Sequence, residues 1–324
     1  LAEMVKRRMG ESFLDYAVDP FILGIYAGDP SQLVTRYALP KLYQLEQDYG
    51  SFIKGGIKKH KEPKTPEQAK VTKKMFSVTG GLYNLVDALY KQIGEESFIF
   101  NCRKVTIYPK DDAFSISYIR DGQTHTLRNN HVITTTGAYQ MESLLPFLKQ
   151  SEREAIGNLV YAKVMQVAIG FKKWRGLPLR AFGGLVPHKE NRKILGVLFP
   201  SAFLEGRAPH GGALLSVFMG GVRNPEVLFL DDAIIKAMVM QELKAMMMIP
   251  DEEPDLFQIF RHHHAIPQYG ATTGDRLNAI TKIESQFPGL ILAGNLRDGI
   301  GMADRIRQGT MIARQLTDKE TETN

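Results

Sequence analysis

Residues 289–316 read Gly-Leu-Ile-Leu-Ala-Gly-Asn-Leu-Arg-Asp-Gly-Ile-Gly-Met-Ala-Asp-Arg-Ile-Arg-Gln-Gly-Thr-Met-Ile-Ala-Arg-Gln-Leu. The apolar run from Leu290 to Ala293 has the length of a buried strand. Gly294, Asn295, Gly299, Ile300 and Gly301 follow in a turn. Then Met302, Ile306, Gly309, Ala313 and Leu316 recur at steps of four and three, which marks one face of a helix. Gly309 and Ala313 are small, so the expected helix lies close against a sheet. A strand that feeds a glycine turn and then a helix aims the helix's free N–H groups and positive dipole end at one spot. Glycines there let a ligand approach the backbone, and the expected occupant is an anion or an electron-rich ring edge. Taken alone, Gly-Ile-Gly also describes an ordinary strand-to-helix turn.

The chain has 324 residues, enough for a large core and two or more domains. An apolar share of 44% with 23% charged residues is ordinary for a globular protein. No apolar run has the length of a membrane-spanning helix, and no secretory signal is present. The one cysteine, Cys102, excludes an internal disulfide and fits a reducing compartment. It is expected in a strand, as an inert thiol.

The first seventy residues read as helical. A helix is expected from Leu1 through Ala17, ahead of Asp19-Pro20. Asp29 or Ser31 can cap the next helix, which ends before Pro40, and another runs from Lys41 to Lys59. Residues 54–74 hold eight lysines and two glutamates, a surplus equal to the formal net charge of +6 for the whole chain. Pro63 and Pro66 mark this stretch as a loop between helices. Its charge suits anionic lipid. Nucleic acid is excluded as a partner, since no aromatic residues interleave with the lysines.

Beyond it, Phe76-Ser77-Val78 is strand-like. Gly80-Gly81 opens a helix with Leu82, Leu85, Val86, Leu89 and Tyr90 on one face. Short strands are expected over 97–108, 113–119 and 123–127, joined by hairpin turns at Asp111-Asp112 and Asp121-Gly122. His131 to Thr136 reads as a buried strand that leaves through Gly137-Ala138. Five further strands, over 162–171, 181–187, 193–200, 212–221 and 256–262, suit one antiparallel sheet. A helix capped by Asp231-Asp232 carries Ile235, Val239, Leu243 and Met246. Arg261-His262-His263-His264 is not a metal site, because adjacent strand residues point to opposite faces.

The stretch Leu-Ala-Gly-Asn-x-x-Asp-Gly-Ile-Gly-x-x-Asp-x-Ile-x-x-Gly resembles the C-terminal flavin motif of the protoporphyrinogen oxidases, within the flavin amine oxidase superfamily. Phe13-Leu14-Asp15-Tyr16-Ala17-Val18-Asp19-Pro20-Phe21 with Gly24-x-Tyr26-Ala27-Gly28-Asp29-Pro30 is similar to their helical-domain signature. Phe182-Gly183-Gly184-Leu185-Val186-Pro187 and His264-Ala265-Ile266-Pro267-Gln268-Tyr269 are similar to two further segments. The family often carries Pro and Cys where this chain has Ala303 and Arg305, positions taken to lie behind the site. The resemblance implies FAD as cofactor. Its ring end would meet Gly294, Asn295, Gly299, Ile300, Gly301 and Met302, its adenine the backbone at Val105, and Thr136 would pass beside it. It further implies that Phe182 and Leu185 contact a tetrapyrrole.

The expected fold is α+β / α/β, a truncated FAD-linked oxidoreductase: a helical, membrane-facing type of domain over 1–70, an FAD-domain segment over 71–140, an antiparallel-sheet substrate domain over 141–285 and a C-terminal FAD-domain strand and helix over 286–324. The expected chemistry is oxidation of protoporphyrinogen IX or coproporphyrinogen III by FAD and molecular oxygen in heme biosynthesis. It would take place in the bacterial cytoplasm, at the inner face of the membrane. No general acid or base is visible, and no metal is expected. The sequence has no Gly-x-Gly-x-x-Gly turn for the pyrophosphate. The resemblance covers the later two thirds or so of a family member, and the arginine the family uses for a substrate propionate would lie before Leu1. This polypeptide is therefore expected to hold FAD poorly, to be inactive, and to self-associate through a sheet edge at 132–136. The alternatives are a desaturase or another flavin amine oxidase, which the helical-domain signature opposes, and a non-catalytic tetrapyrrole-binding or structural piece.

Overall fold

A computed structural model describes residues 1–61, 63 and 76–322. Most of the lysine-rich stretch 54–74 lies outside the described residues. Its first part belongs to a helix, not to a loop. The described chain forms two compact units. One comprises Leu1–Phe98 with Lys163–His263, the other Ile99–Ala162 with His264–Asn324.

The first unit begins with helices α1 (Ala2–Met9), α2 (Asp19–Tyr26), α3 (Pro40–Tyr49) and α4 (Phe52–Lys61). The single helix expected over 1–17 is broken at Gly10, whose φ of 90° ends α1, and residues Leu14–Val18 form a wider turn. Pro20 does not stop the chain. It comes just after the wider turn Leu14–Val18, whose i→i−5 bond from the Asp19 N–H to the Leu14 carbonyl loosens the ladder where the proline enters. Asp29 caps no helix side-on; its Oδ1 accepts from the N–H and hydroxyl of Ser31 at 2.8 and 2.6 Å, closing a local turn. Phe76 to Val78 forms no strand. Helix α5 (Tyr83–Ile93) follows with no buried residue, so Leu82, Val86 and Leu89 are exposed.

The core of this unit lies on one face of a five-stranded sheet. Its strands are β5 (Tyr161–Phe171), β6 (Gly183–Leu185), β7 (Gly196–Leu198), β8 (Ala213–Gly220) and β9 (Leu256–Pro267), in the order β6-β7-β8-β5-β9. Alternation divides it cleanly. Met165, Val167 and Ile169 pair with Met219, Val217 and Leu215 and are all buried. Helix α7 (Asp232–Met247), which follows α6 (Gln150–Gly157) of the other unit, covers them with Ile235, Val239, Leu243 and Met247. Asp231 makes no side-chain cap; Asp232 instead accepts from Arg261 at 2.7 Å. Strands β6 and β7 are only three residues each, because Gly183 has a φ of 147° and its neighbourhood leaves the pleat.

The second unit contains β1 (Arg103–Lys110), β2 (Ala113–Arg120) and β3 (Gln123–Asn129) as an antiparallel meander. Glu95–Ser97 form a short helical turn and pairing begins only at Arg103, so Cys102 precedes the strand. Its thiol lies 3.4 Å from the Ile99 carbonyl. Strand β4 (Val132–Thr134) pairs in parallel with β10 (Leu290–Leu292), matching Leu290 with Val132 and Leu292 with Thr134. Helix α8 (Thr273–Gln286) precedes β10, and α9 (Met302–Glu322) follows it. The unit boundaries fall within β5 and β9, not at residues 140 and 285, since both strands run from one unit into the other.

Candidate functional site

The β4–β10 pair sorts its side chains by alternation. Leu290 and Leu292 join the core with Ile280, Ile283, Met141 and Leu145. Ile291 and Ala293 point the other way and meet Ile312 and Leu316 of α9. The helix face read from the sequence is therefore only partly the packing face. Met302, Ile306, Gly309 and Ala313 are exposed, while Gln308 and Ile312 are buried. The apolar contacts with the strand come from Ile312 and Leu316, while the earlier turns engage the loop through Arg305 and Gln308. Gly309 and Ala313 instead line an open cleft of ≈ 560 Å³ with Ile133, Thr135, Ala293 and Gly294.

The turn 294–301 is held from within. Gly294 has a φ of 84°, and a Cβ there would lie 2.9 Å from the Thr135 carbonyl oxygen, so this glycine serves the close strand approach. Its N–H donates to Gln308 Oε1 at 2.9 Å. The Gly299 N–H donates to the Tyr269 hydroxyl at 3.1 Å, and the Gly301 N–H to Asp304 Oδ2 at 3.0 Å. Asp304 reaches back as the acidic half of a capping box, leaving the N–H groups of Met302, Ala303 and Asp304 as the helix's free donors.

Arg305 corrects the sequence reading that set it behind the site. Its guanidinium enters the turn and donates to the carbonyls of Gly294, Arg297 (2.9 Å) and Gly299 (3.0 Å), and to Gln308 Oε1 at 2.8 Å. Gln308 Nε2 in turn donates to Asp298 at 2.8 Å. Asn295 is fixed from another direction: Tyr161 donates its hydroxyl proton to Asn295 Oδ1 at 3.1 Å and accepts from the Ala138 N–H at 2.9 Å. Burial raises the Tyr161 pKa above its usual value, so it stays a neutral donor. Tyr139 stacks on His264 with centroids 3.8 Å apart beside Tyr161.

The glycines, Asn295, Ile300 and Met302 are thus gathered at one turn. Thr136 is exposed just past β4, next to the Thr135 backbone that Gly294 approaches. Val105 lies apart from the cleft, half-buried on β1 at an irregularity between Arg103 and Thr106. Arg305, Gln308 and Tyr161 escaped the sequence reading. Only Gln308, polar in an otherwise helical stripe, offered a signal.

In the first unit, the outward face of the sheet carries Leu185, Leu198 and Phe218, with Gln166 Nε2 donating to Ser216 Oγ at 2.8 Å among them. Leu185 also rests on Gly24 of α2, where any Cβ would overlap it. Phe182 precedes β6, is 52% exposed, and meets Phe203 edge-to-face at 4.7 Å.

The sequence profile described as flavin containing amine oxidoreductase matches residues 1–317. The chain is 31% identical to the mitochondrial protoporphyrinogen oxidase of Nicotiana tabacum, over 95% of this chain and 66% of that protein. It is 27% identical to the coproporphyrinogen III oxidase of Bacillus subtilis, over 95% of this chain and 65% of that protein. It thus spans about two thirds of the length of these relatives. A crystal structure from Exiguobacterium sp., provisionally described as a protoporphyrinogen oxidase, shares the fold with a TM-score of 0.77 at 23% identity, over 98% of this chain and 66% of that one. This chain belongs to the flavin-containing amine oxidoreductases. The turn fits the flavin that the family name implies: Asp304 packs against Gly299 and Gly301 and holds the helix start, and the Met302 and Ala303 N–H groups are donors suited to an electron-rich ring edge.

Proposed function

We propose that these residues hold the substrate and the flavin-ring end of an FAD- and oxygen-dependent porphyrinogen oxidase. The observation that carries the reading is the turn 294–301, ordered by side chains and open at the start of α9. When bound, FAD would accept hydride equivalents from the porphyrinogen and pass the electrons to oxygen. The chain's residues bind and orient. Gly299, Ile300, Gly301 and Met302 face the ring, Tyr161 and Gln308 keep Asn295 and Gly294 in register, Thr136 lies beside the flavin, and the Val105 backbone serves the adenine. The outward sheet face, with Leu185, Leu198 and Phe218 around the Gln166–Ser216 pair, suits a flat apolar macrocycle with polar substituents, and Phe182 flanks it. The substrate class is a porphyrinogen; the similarity to both protoporphyrinogen and coproporphyrinogen III oxidases supports that class. The basic stretch 54–74 contacts anionic lipid at a membrane surface, which loss of vesicle binding in high salt would test. Among the described residues no helix is long and apolar enough to cross a membrane.

A polypeptide limited to these 324 residues carries no glycine-rich pyrophosphate turn. We therefore hold it to be a weak FAD binder, inactive towards porphyrinogens, and prone to pair with another copy through the edge of β4. Porphyrin titration tests the substrate reading directly. Protoporphyrin IX and coproporphyrin III should each bind with a shifted Soret band, and Leu198→Asp should weaken both at least tenfold while the fold is kept. Equal affinity in the variant would refute it.

A further inference from the structure

Every carbonyl in a trans peptide points opposite to the N–H of the next residue. The chain has no cis peptide among its described residues. The three carbonyls that Arg305 gathers belong to the peptides Gly294-Asn295, Arg297-Asp298 and Gly299-Ile300. Capturing them therefore turns the N–H groups of Asn295, Asp298 and Ile300 outward, away from the guanidinium. None of these three N–H groups donates to a protein acceptor among the described residues. We propose that Arg305 is a positioning residue that turns this row of backbone donors, continuous with those of Met302 and Ala303, towards the electron-rich edge of a flavin ring.

The inference rests on the flavin reading above and goes beyond it, because it assigns the donor row to one side chain. An arginine in the first turn of a helix sits against the positive end of the dipole. The three carbonyls and Gln308 Oε1 compensate it locally. Its charge stays beside the donor row and adds to the positive potential there, which favours an acceptor bearing negative charge. The planar fork of guanidinium donors is what allows one side chain to reach four acceptors in a fixed arrangement. A lysine brings the same charge from a single nitrogen and cannot span them. A small side chain such as cysteine could not reach them at all.

The test uses the 324-residue protein, its Arg305→Gln and Arg305→Lys variants, and riboflavin, which carries the ring without phosphate or adenosine. Amide exchange at Gly294 and Gly299 reads the order of the turn. Amide shifts of Asn295, Asp298, Ile300 and Met302 on adding riboflavin read its use. Both variants should raise exchange at Gly294 and Gly299 at least tenfold, with α7 unchanged, and should weaken riboflavin binding at least tenfold. Lysine should not rescue either readout. Unchanged exchange would overturn the positioning role, as would full rescue by lysine. Riboflavin bound equally well by a loosened variant would overturn its link to the ring alone. An ordered turn in the unsubstituted protein that shows no riboflavin shifts would instead overturn the flavin reading, and this role with it.

Discussion

Replacing Gln308 with leucine should cost the second unit about 2–5 kcal/mol of local stability. The side chain is 7% exposed and makes three hydrogen bonds. Leucine keeps the volume and removes all three. The Gly294 N–H, buried against Thr135, would be left without an acceptor, at about 1–3 kcal/mol. Arg305 would lose one of its four acceptors, a charged hydrogen bond whose loss is worth roughly 1–2 kcal/mol, since three carbonyls remain. The Asp298 contact is only partly buried, with Asp298 itself half-exposed, and adds little. Gln308→Glu separates these contributions. A carboxylate still accepts from Gly294 and, with charge assistance, from Arg305; it sets like charge against Asp298 in place of the lost donor, which the half-exposed Asp298 relieves by turning to solvent, so the expected cost is about 1 kcal/mol. Exchange of the Gly294 amide is the assay, because it reads the local opening without assuming that two units unfold together. A loss of about 2 kcal/mol is roughly a thirtyfold faster exchange. The leucine variant should show at least that, and the glutamate variant less than tenfold. Equal exchange in both variants would refute the argument that the Gly294 N–H depends on this acceptor.

Arg223 bridges Asp19 at 2.7 Å and Asp29 at 3.0 Å, and Asp19 is buried, so Arg223→Leu should cost about 3–5 kcal/mol in urea unfolding of the first unit. Burial pulls the Asp29 carboxyl upward, but its bonds from Arg223 and Ser31 outweigh this and bring its pKa down to about 2 from 3.8. A depressed folded pKa gives stability that is complete above the unfolded value and lost as pH falls from about 4 towards 2. Acid titration should show roughly 1 kcal/mol of such loss, allowing for solvent screening, and Asp29→Asn should remove it. Gly24→Ala should change unfolding by less than about 1 kcal/mol, since helix propensity offsets the displaced Leu185 tip, yet weaken porphyrin binding if Leu185 contacts the ring. Phe182→Ala should leave stability within about 1 kcal/mol, because the ring is half-exposed, and reduce porphyrin affinity.

What could be read from the sequence was local. Leu290–Leu292, the glycine turn and the helix beginning at Met302 are legible because strand length, glycine spacing and helical period are properties of adjacent residues. The hairpin turns at Asp111 and Asp121-Gly122 are legible for the same reason, and all three residues take positive φ. The packing face of α9 was not. Two apolar stripes compete on that helix, and the strand it leaves decides which one is covered. Phe76-Ser77-Val78 has strand composition, but forming a strand requires a partner. Arg305 was misplaced because a long side chain beside a turn can reach into it or away from it, and spacing does not distinguish the two. β9 runs to Pro267, five residues past the apolar pattern that ends at His262, because the alternation stops there while the pairing continues.

The central claim is that the turn 294–302 takes the flavin ring while these residues supply no seat for the pyrophosphate. Paired fluorescence titrations of the 324-residue protein with riboflavin and with FAD test it most directly. The account predicts weak, saturable binding of both, with FAD favoured only modestly through its adenine contact at Val105, and amide shifts at Asn295 to Met302. FAD bound in the low micromolar range and far more tightly than riboflavin would contradict it.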